Sequence, residues 1–316
     1  MELVTIDEIH AAAQRIKGVA VRTPLLEANW APLWLKPESL QPIGAFKVRG
    51  AYHAVASLPP EIRRYGVVAH SSGNHAQALA FAARAFGIPC VIVMPDVAPK
   101  VKVEATAALG AEIVMAPPPE RNTTSAAIAA ERNMTLVPPF DHHDVIAGQG
   151  TIGLEIVADL PDVACVLVPI GGGGLASGVS VAVKALRPGA VVIGVEPELA
   201  GDAAESVAAG ELRPWPLELT YRTIADGLRT ALSERTLAHL RKYVDAVVTV
   251  TEAEIEDAMR RLAVRARLVA EPSGAVSVAG YLKHRDTLPA GPAVAVISGG
   301  NVEPGLLAEV LSTRQG

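Results

Sequence analysis

Four short stretches of the chain carry residues that could do chemistry. The first is IGAFKVRG, Ile43 to Gly50, in which Lys47 stands between Phe46 and Val48, with Gly44 three residues before it and Gly50 three after. A solvated lysine usually has polar neighbours. Apolar company lowers a lysine's pKa and favours the neutral, nucleophilic amine. The second is HSSGNHAQALA, His70 to Ala80. Here Ser71, Ser72, Gly73 and Asn74 follow a strand-like run and open a helical one, which leaves backbone N–H groups free at a helix N-terminus. Such a turn binds anions, and an ordinary serine-capped turn reads the same way. The third, PIGGGGLASG, sets four successive glycines, Gly171 to Gly174, between a strand end and a helix. Ordering them costs much backbone entropy, so either something approaches that backbone closely, a phosphate being the usual guest, or the turn is simply flexible. The fourth, ISGGN, closes a strand near the C-terminus and offers the neutral hydroxyl of Ser298. Carboxyl ends of parallel strands are where ligands bind in open α/β sheets, although another turn would read alike.

A rival reading uses the third stretch alone. Gly172, Gly174 and Gly178 precede the strand-like VVIGV and then Glu196, which imitates a dinucleotide fingerprint with its ribose-binding acid. It leaves Lys47 and SSGNH without a role.

The elements that must position these residues follow from periodicity. Seven β-branched or aliphatic runs, in YGVVAHSSGNH, IPCVIVMP, GAEIVMAP, ACVLVPIGGGG, AVVIGVEPE, DAVVTVT and AVAVISGGN, alternate with alanine-rich helical stretches. Strand–helix alternation predicts parallel α/β sheets. Thr251 and Glu254 form a capping box that predicts a helix start. The turn-rich APPPERNTT is too short for a linker, and a domain boundary is expected in PPFDHHDV, Pro138 to Val145. The adjacent His142 and His143 there read as solvated loop residues, with metal binding as the alternative.

Composition bounds the rest. The chain has 316 residues, half of them hydrophobic and only 4% aromatic, which suits helices packed on parallel strands. A net charge of −5 supplies no basic footprint for nucleic acid, and no uncharged apolar run is long enough to span a membrane. The N-terminus lacks a signal-peptide core, and Cys90 and Cys165 are the only cysteines, so a reducing cytoplasm is expected.

Taken together, the ordered motifs resemble the fold-type II pyridoxal-phosphate enzymes, and within them the threonine/serine dehydratase and serine racemase family. LQPIGAFKVRGA is similar to the family's cofactor-lysine motif, SSGNHAQ to its substrate loop and GGGGLASG to its phosphate loop; DVIAGQGTIGLEI and EPSGAVSVAG are also family-like. The resemblance runs from Arg22 to Pro304. It implies two parallel-sheet domains like those of tryptophan synthase β, with the active site in the cleft between them. Residues 1–50 and 144–316 would form the large cofactor-binding domain, and 51–143 the small one.

The resemblance also implies roles. Lys47 would be the Schiff-base lysine and, once released, the base that removes the substrate α-proton. Phe46 would shape the cofactor pocket, Asn74 would bond the cofactor's phenolic oxygen, Gly171, Gly172, Gly173 and Gly174 would hold its phosphate, and Ser298 would face its pyridine nitrogen. A hydroxyl there makes a milder electron sink than a carboxylate would, which suits β-elimination. Ser71, Ser72, Gly73, Asn74 and His75 would bind the substrate carboxylate. The expected product is a 2-oxo acid with ammonia, from L-threonine or L-serine.

Departures widen the choice. Ile43 and Ala45 stand where relatives often carry hydroxyls. Ser72 matches racemases and 3-hydroxyaspartate dehydratases and would act as a second acid/base, whereas many biosynthetic threonine dehydratases have alanine there. Arg121 falls near an arginine that meets a second substrate carboxylate in some relatives. Glu196, the carbonyl of Ala200 and Asp202 match the racemase branch's site for a divalent cation, Mg²⁺ or Ca²⁺. A homodimer or homotetramer is expected, and feedback inhibition by isoleucine is not, because the chain ends soon after ISGGNVEP.

Overall fold

The computed structural model, which describes residues 2–98 and 100–312, has ten strands in two sheets, the seven apolar runs among them. They are β1 Leu26–Glu27, β2 Leu33–Pro37, β3 Val67–His70, β4 Cys90–Pro95, β5 Glu112–Ala116, β6 Thr135–Leu136, β7 Cys165–Pro169, β8 Val191–Pro197, β9 Ala246–Val250 and β10 Ala293–Ile297. One sheet has the order β1-β2-β10-β7-β8-β9, the other β5-β4-β3-β6. All pairings are parallel except β1 with β2. Parallel strands covered by helices on both faces read as continuous apolar runs, and β4, β7 and β10 are buried at every residue.

The four-stranded sheet falls within residues 67–136. The division at Gly50 lies inside the helix Lys47–Ser57, and the one near residue 143 coincides with the start of the long helix His143–Asp159. These two helices cross at glycines. A Cβ on Gly50 would stand 2.6 Å from the Val145 carbonyl, and one on Gly148 would stand 2.6 Å from Gly50 Cα. The glycine after Lys47 is therefore a helix-crossing glycine.

Behind that crossing lies a buried ion network. Arg49, 1% exposed, donates to both oxygens of Glu38 at 2.8 and 2.9 Å and to both oxygens of Glu155 at 2.7 and 2.9 Å. Lys36, wholly buried, donates to Glu155 and to the Thr23 carbonyl at 2.6 Å. Burial pushes the Glu38 carboxyl up, but the Arg49 guanidinium more than offsets this and leaves it below the usual carboxylate range. Two cations and two carboxylates thus compensate one another and pin the helix two residues after Lys47.

Candidate active site

Each chemically suggestive stretch sits at the carboxyl end of a parallel strand or faces one. β3 ends at His70, and the turn Ser71–Gly73 leads into the helix Asn74–Phe86. β7 ends at Pro169, and the glycine run leads into the helix Gly174–Leu186. β10 ends at Ile297, immediately before Ser298.

Lys47 opens its helix and is half-buried. The segment before it is stitched to the end of β10: Phe46 N–H donates to the Ser298 carbonyl at 3.0 Å, Gly300 N–H donates to the Gly44 carbonyl at 2.9 Å, and Ala45 bridges Gly299. Gly44 has φ +71, and a Cβ there would lie 2.4 Å from Asn301 Oδ1. Both glycines that flank Lys47 are therefore required by close approaches. The amine donates to the Pro139 carbonyl at 2.6 Å and lies 5.1 Å from the centre of the Phe46 ring. No carboxylate pairs with it among the described residues, and desolvation draws its pKa down to about 8.

Pro139 is followed by Phe140, whose side chain fills the space that a Cβ on Gly172 would need, 2.5 Å away. A Cβ on Gly171 would approach Leu228 Cα to 2.8 Å, and Gly173 has φ +85. The run must be glycine for the chain's own packing. Its N–H groups are another matter. Among the described residues no acceptor is found for those of Gly171, Gly172 and Gly173, although Gly171 and Gly173 are buried. Buried N–H groups almost always have a partner, so these are aimed at a guest. Glu196 lies near the carboxyl end of β8, but its oxygens accept the N–H groups of Ala203 and Ala204 at 3.1 and 2.8 Å. It is engaged at a helix start rather than held ready for a ribose, which removes the basis of the dinucleotide reading.

The turn after β3 shows the same deficit. Ser71 N–H donates to the Val93 carbonyl and Gly73 N–H to Ser71 Oγ, while those of Ser72, Asn74 and His75 find no acceptor among the described residues. Gly73 occupies the cap position with no side-chain capping bond, so neither serine caps this helix. His75 is 2% exposed; its Nε2 meets the Val137 carbonyl at 2.8 Å, and burial, then the Lys47 charge, pushes its pKa down to about 3. Its ring is permanently neutral at physiological pH, and its Nδ1 has no partner among the described residues.

Asn74 is held at both ends of its amide. It donates to Glu271 Oε1 at 2.7 Å and accepts from Asn301 Nδ2 at 2.7 Å. Glu271 is 6% exposed, and burial, then the charge of Asp226, pushes its carboxyl up to about 8. Ser298 is 4% exposed, and its hydroxyl makes one long bond to the Ser273 carbonyl at 3.4 Å, so its proton is weakly held and can turn to a better acceptor. Glu271 and Asn301 were not among the residues singled out from sequence. Glu271 lies in EPSGAVSVAG and Asn301 ends ISGGN, so the motifs pointed to the segments and not to the side chains.

Arg121 heads the helix Arg121–Arg132 instead of lying on a loop. Its Nε donates to the Pro118 carbonyl, and it is close enough to help burial depress His70, which adjoins Ser71. It borders the turn after β3 without bonding to it. His142 and His143 are not simply solvated: His143 Nε2 meets Glu8 at 2.8 Å, and His142 Nδ1 is buried without a partner among the described residues.

Glu196, Ala200 and Asp202 form a separate group, all buried. Burial, then the neighbouring Asp202 charge, raises Glu196 to about 8. Burial likewise raises Asp202 to about 6. No cluster of three or more His, Cys, Asp or Glu side chains arranged for a metal occurs among the described residues; this group offers two carboxylates and a carbonyl.

Comparison with known proteins agrees with this geometry. The sequence profile of the family described as pyridoxal-phosphate dependent enzyme matches residues 16–299. The chain is 39% identical over 324 residues to the L-threo-3-hydroxyaspartate ammonia-lyase of Saccharomyces cerevisiae, covering 100% of this chain and 98% of that protein. It is 42% identical over 328 residues to the L-threonine ammonia-lyase of Thermotoga maritima, covering 98% and 79%. The solved structure of maize serine racemase superposes with a TM-score of 0.92 at 37% identity, covering 98% of this chain and 97% of that one.

Proposed function

The chain belongs to the pyridoxal-phosphate dependent enzyme family, and from that premise we propose that it is an ammonia-lyase converting L-threonine or L-serine into a 2-oxo acid and ammonia. The residues present fit the cofactor. Unsatisfied N–H groups at the glycine run suit a phosphate, a lysine with a pKa near 8 suits an aldehyde, and a buried neutral hydroxyl at Ser298 suits a pyridine nitrogen. Phe46 and Asn74 complete that pocket.

When bound, pyridoxal phosphate supplies an electron sink that makes an amino acid's α-proton removable and its β-hydroxyl expellable. The protein's part is binding and proton handling. The free N–H groups of Ser72, Asn74 and His75, with Ser71 and Gly73 shaping the turn, hold the substrate carboxylate. Lys47 Nζ takes the α-proton as general base, and a pKa near 8 keeps a useful fraction of it neutral at physiological pH. The observation that carries the reading is the chain of contacts from Lys47 through Pro139 and Phe140 to the glycine run.

A racemase or a 3-hydroxyaspartate dehydratase is the second reading, supported by Ser72 and by Arg121 at the margin of the turn. Racemisation needs a second proton-carrying group besides Lys47; of the two serines in this turn, Ser71 Oγ already accepts from Gly73 N–H, and Ser72 is the one the resemblance puts in that role. One experiment separates the readings: 2-oxo acid release from both enantiomers of serine, threonine and 3-hydroxyaspartate, with chiral analysis of the L-serine reaction. Ser72→Ala should keep measurable elimination from the L-substrates while losing D-serine formation and elimination from D-serine. D-serine made by the variant at the wild-type rate removes Ser72 from that role, and none made by wild type removes racemisation.

We also propose that Glu196, the Ala200 carbonyl and Asp202 bind Mg²⁺ or Ca²⁺. Two buried carboxylates without a cation partner among the described residues favour a hard divalent ion. Excess chelator should lower the melting temperature and added Mg²⁺ restore it, stabilising by about 2.7 kcal/mol at a hundredfold excess over Kd. Unchanged melting in chelator, with no metal in elemental analysis, removes the site. In the same reading, residues 51–143 form a small α/β domain, with the active site in the cleft between it and the large domain. A homodimer or homotetramer is the assembly we propose, and light scattering reads the mass. No helix among the described residues is long and apolar enough to cross a membrane, and both cysteines are free and buried, which suits the cytoplasm.

A further inference from the structure

We propose that Glu271 and Asn301 are positioning residues that lock the side-chain amide of Asn74 with its nitrogen, not its oxygen, presented to the cofactor. The inference rests on the reading that this site takes pyridoxal phosphate.

Donors and acceptors around the amide fix its orientation. Asn301 Nδ2 carries two hydrogens. One goes to the Ile43 carbonyl at 2.9 Å and the other to Asn74 Oδ1 at 2.7 Å. The Ile43 carbonyl can only accept, so the Asn301 nitrogen is fixed, and the Asn74 atom facing it must be the oxygen. The Asn74 nitrogen is thereby turned the other way. One of its hydrogens goes to Glu271 Oε1 at 2.7 Å, an acceptor in either protonation state of the carboxyl, and one remains for a ligand.

The frame around the triad is rigid. The Glu271 carboxyl is buried, and a Cβ on Gly299 would stand 2.3 Å from its Oε1 and 3.2 Å from Asn74 Nδ2. Glu271 N–H donates to the Gly299 carbonyl at 3.1 Å, and the main chain of Asn301 faces the Glu271 carboxylate. No cation pairs with Glu271 within salt-bridge distance among the described residues, so its bond to Asn74 is not a by-product of a charge pair. Lys102 is instead taken by Asp226 at 2.9 Å. The triad also spans the cleft: Asn74 heads a helix packed on the four-stranded sheet, while Asn301 follows the last strand of the six-stranded one. Binding a cofactor to Asn74 therefore depends on groups contributed by the opposite side.

The test compares the holoenzymes of Glu271→Gln, Glu271→Met and Asn301→Leu with wild type. Three quantities are read: the dissociation constant for pyridoxal phosphate from a fluorescence titration, the visible absorption maximum of the bound cofactor, and the melting temperature without cofactor. Gln keeps an oxygen acceptor, so Glu271→Gln should bind within about threefold of wild type with the same absorption maximum. Met keeps the volume and loses the acceptor. Glu271→Met and Asn301→Leu should weaken cofactor binding about tenfold or more and displace the absorption maximum, beyond what their cofactor-free melting temperatures account for. Wild-type affinity and absorption in a folded Glu271→Met overturns the proposal, as does equal impairment in Gln and Met. If Glu271→Met fails to fold, Asn301→Leu decides by the same two readings. A wild type that binds no pyridoxal phosphate defeats the underlying reading instead, and the titration shows that before any variant is compared.

Discussion

Lys47→Ala is expected to lower 2-oxo acid formation by at least about 10⁴-fold, because it removes both the covalent attachment and the general base. The loss should fall on kcat, and a steady-state assay with saturating cofactor reads it. Its effect on stability should run the other way. The folded-state pKa of Lys47 lies near 8, below the 10.5 of a free lysine side chain. Between those values the unfolded chain binds more protons at this position than the folded one, so the lysine's contribution to stability rises with pH across that window. Below pH 8 the folded protein carries a partly desolvated ammonium that no carboxylate pairs with among the described residues. Cofactor-free Lys47→Ala should therefore melt at or above the wild-type temperature at pH 7, with the difference shrinking as the pH approaches 10. A variant that melts well below wild type at pH 7 contradicts the desolvated lysine.

The second large effect is structural. Arg49→Met should destabilise the cofactor-free protein by about 3–5 kcal/mol in denaturant unfolding, because it leaves the fully buried Glu38 without its guanidinium. Adding Glu38→Gln should recover part of that loss, since the uncompensated charge is the larger share of it. Activity should fall further than stability in the single variant, since Arg49 is on the same helix as Lys47, two residues on. A loss below about 1 kcal/mol would mean that Glu38 is neutralised some other way.

How far the sequence spoke depended on whether a residue's partner was local. All seven apolar runs became strands: a parallel strand buried on both faces announces itself by composition alone, and the less buried edge strands β5 and β9 still read as β-branched runs between turns. β2 did not: its LWLKP carries a lysine and a proline, and Lys36 is tolerable there only because Glu155, 119 residues away, meets it. β1 and β6 have two residues each, too few for any period. The helix at Arg121 was hidden by the prolines before it, residues that favour turns and also precede helix starts. Within the site, Lys47, the serine turn and the glycine run were legible because their oddity is local, a lysine in apolar company or glycines in a row. Glu271 was not, because what makes it unusual is a bond to Asn74 across 197 residues. The Glu196 group was legible through resemblance alone; its carboxylate partners, Ala203 and Ala204, become evident only once the helix start is built.

The central claim is that Lys47 carries the cofactor, and borohydride reduction of the purified yellow protein followed by peptide mass spectrometry tests it most directly. The expected result is one reduced pyridoxal-phosphate adduct, on the peptide containing Lys47 and at that residue. An adduct on another lysine, or a protein that takes up no pyridoxal phosphate when it is supplied, would contradict it.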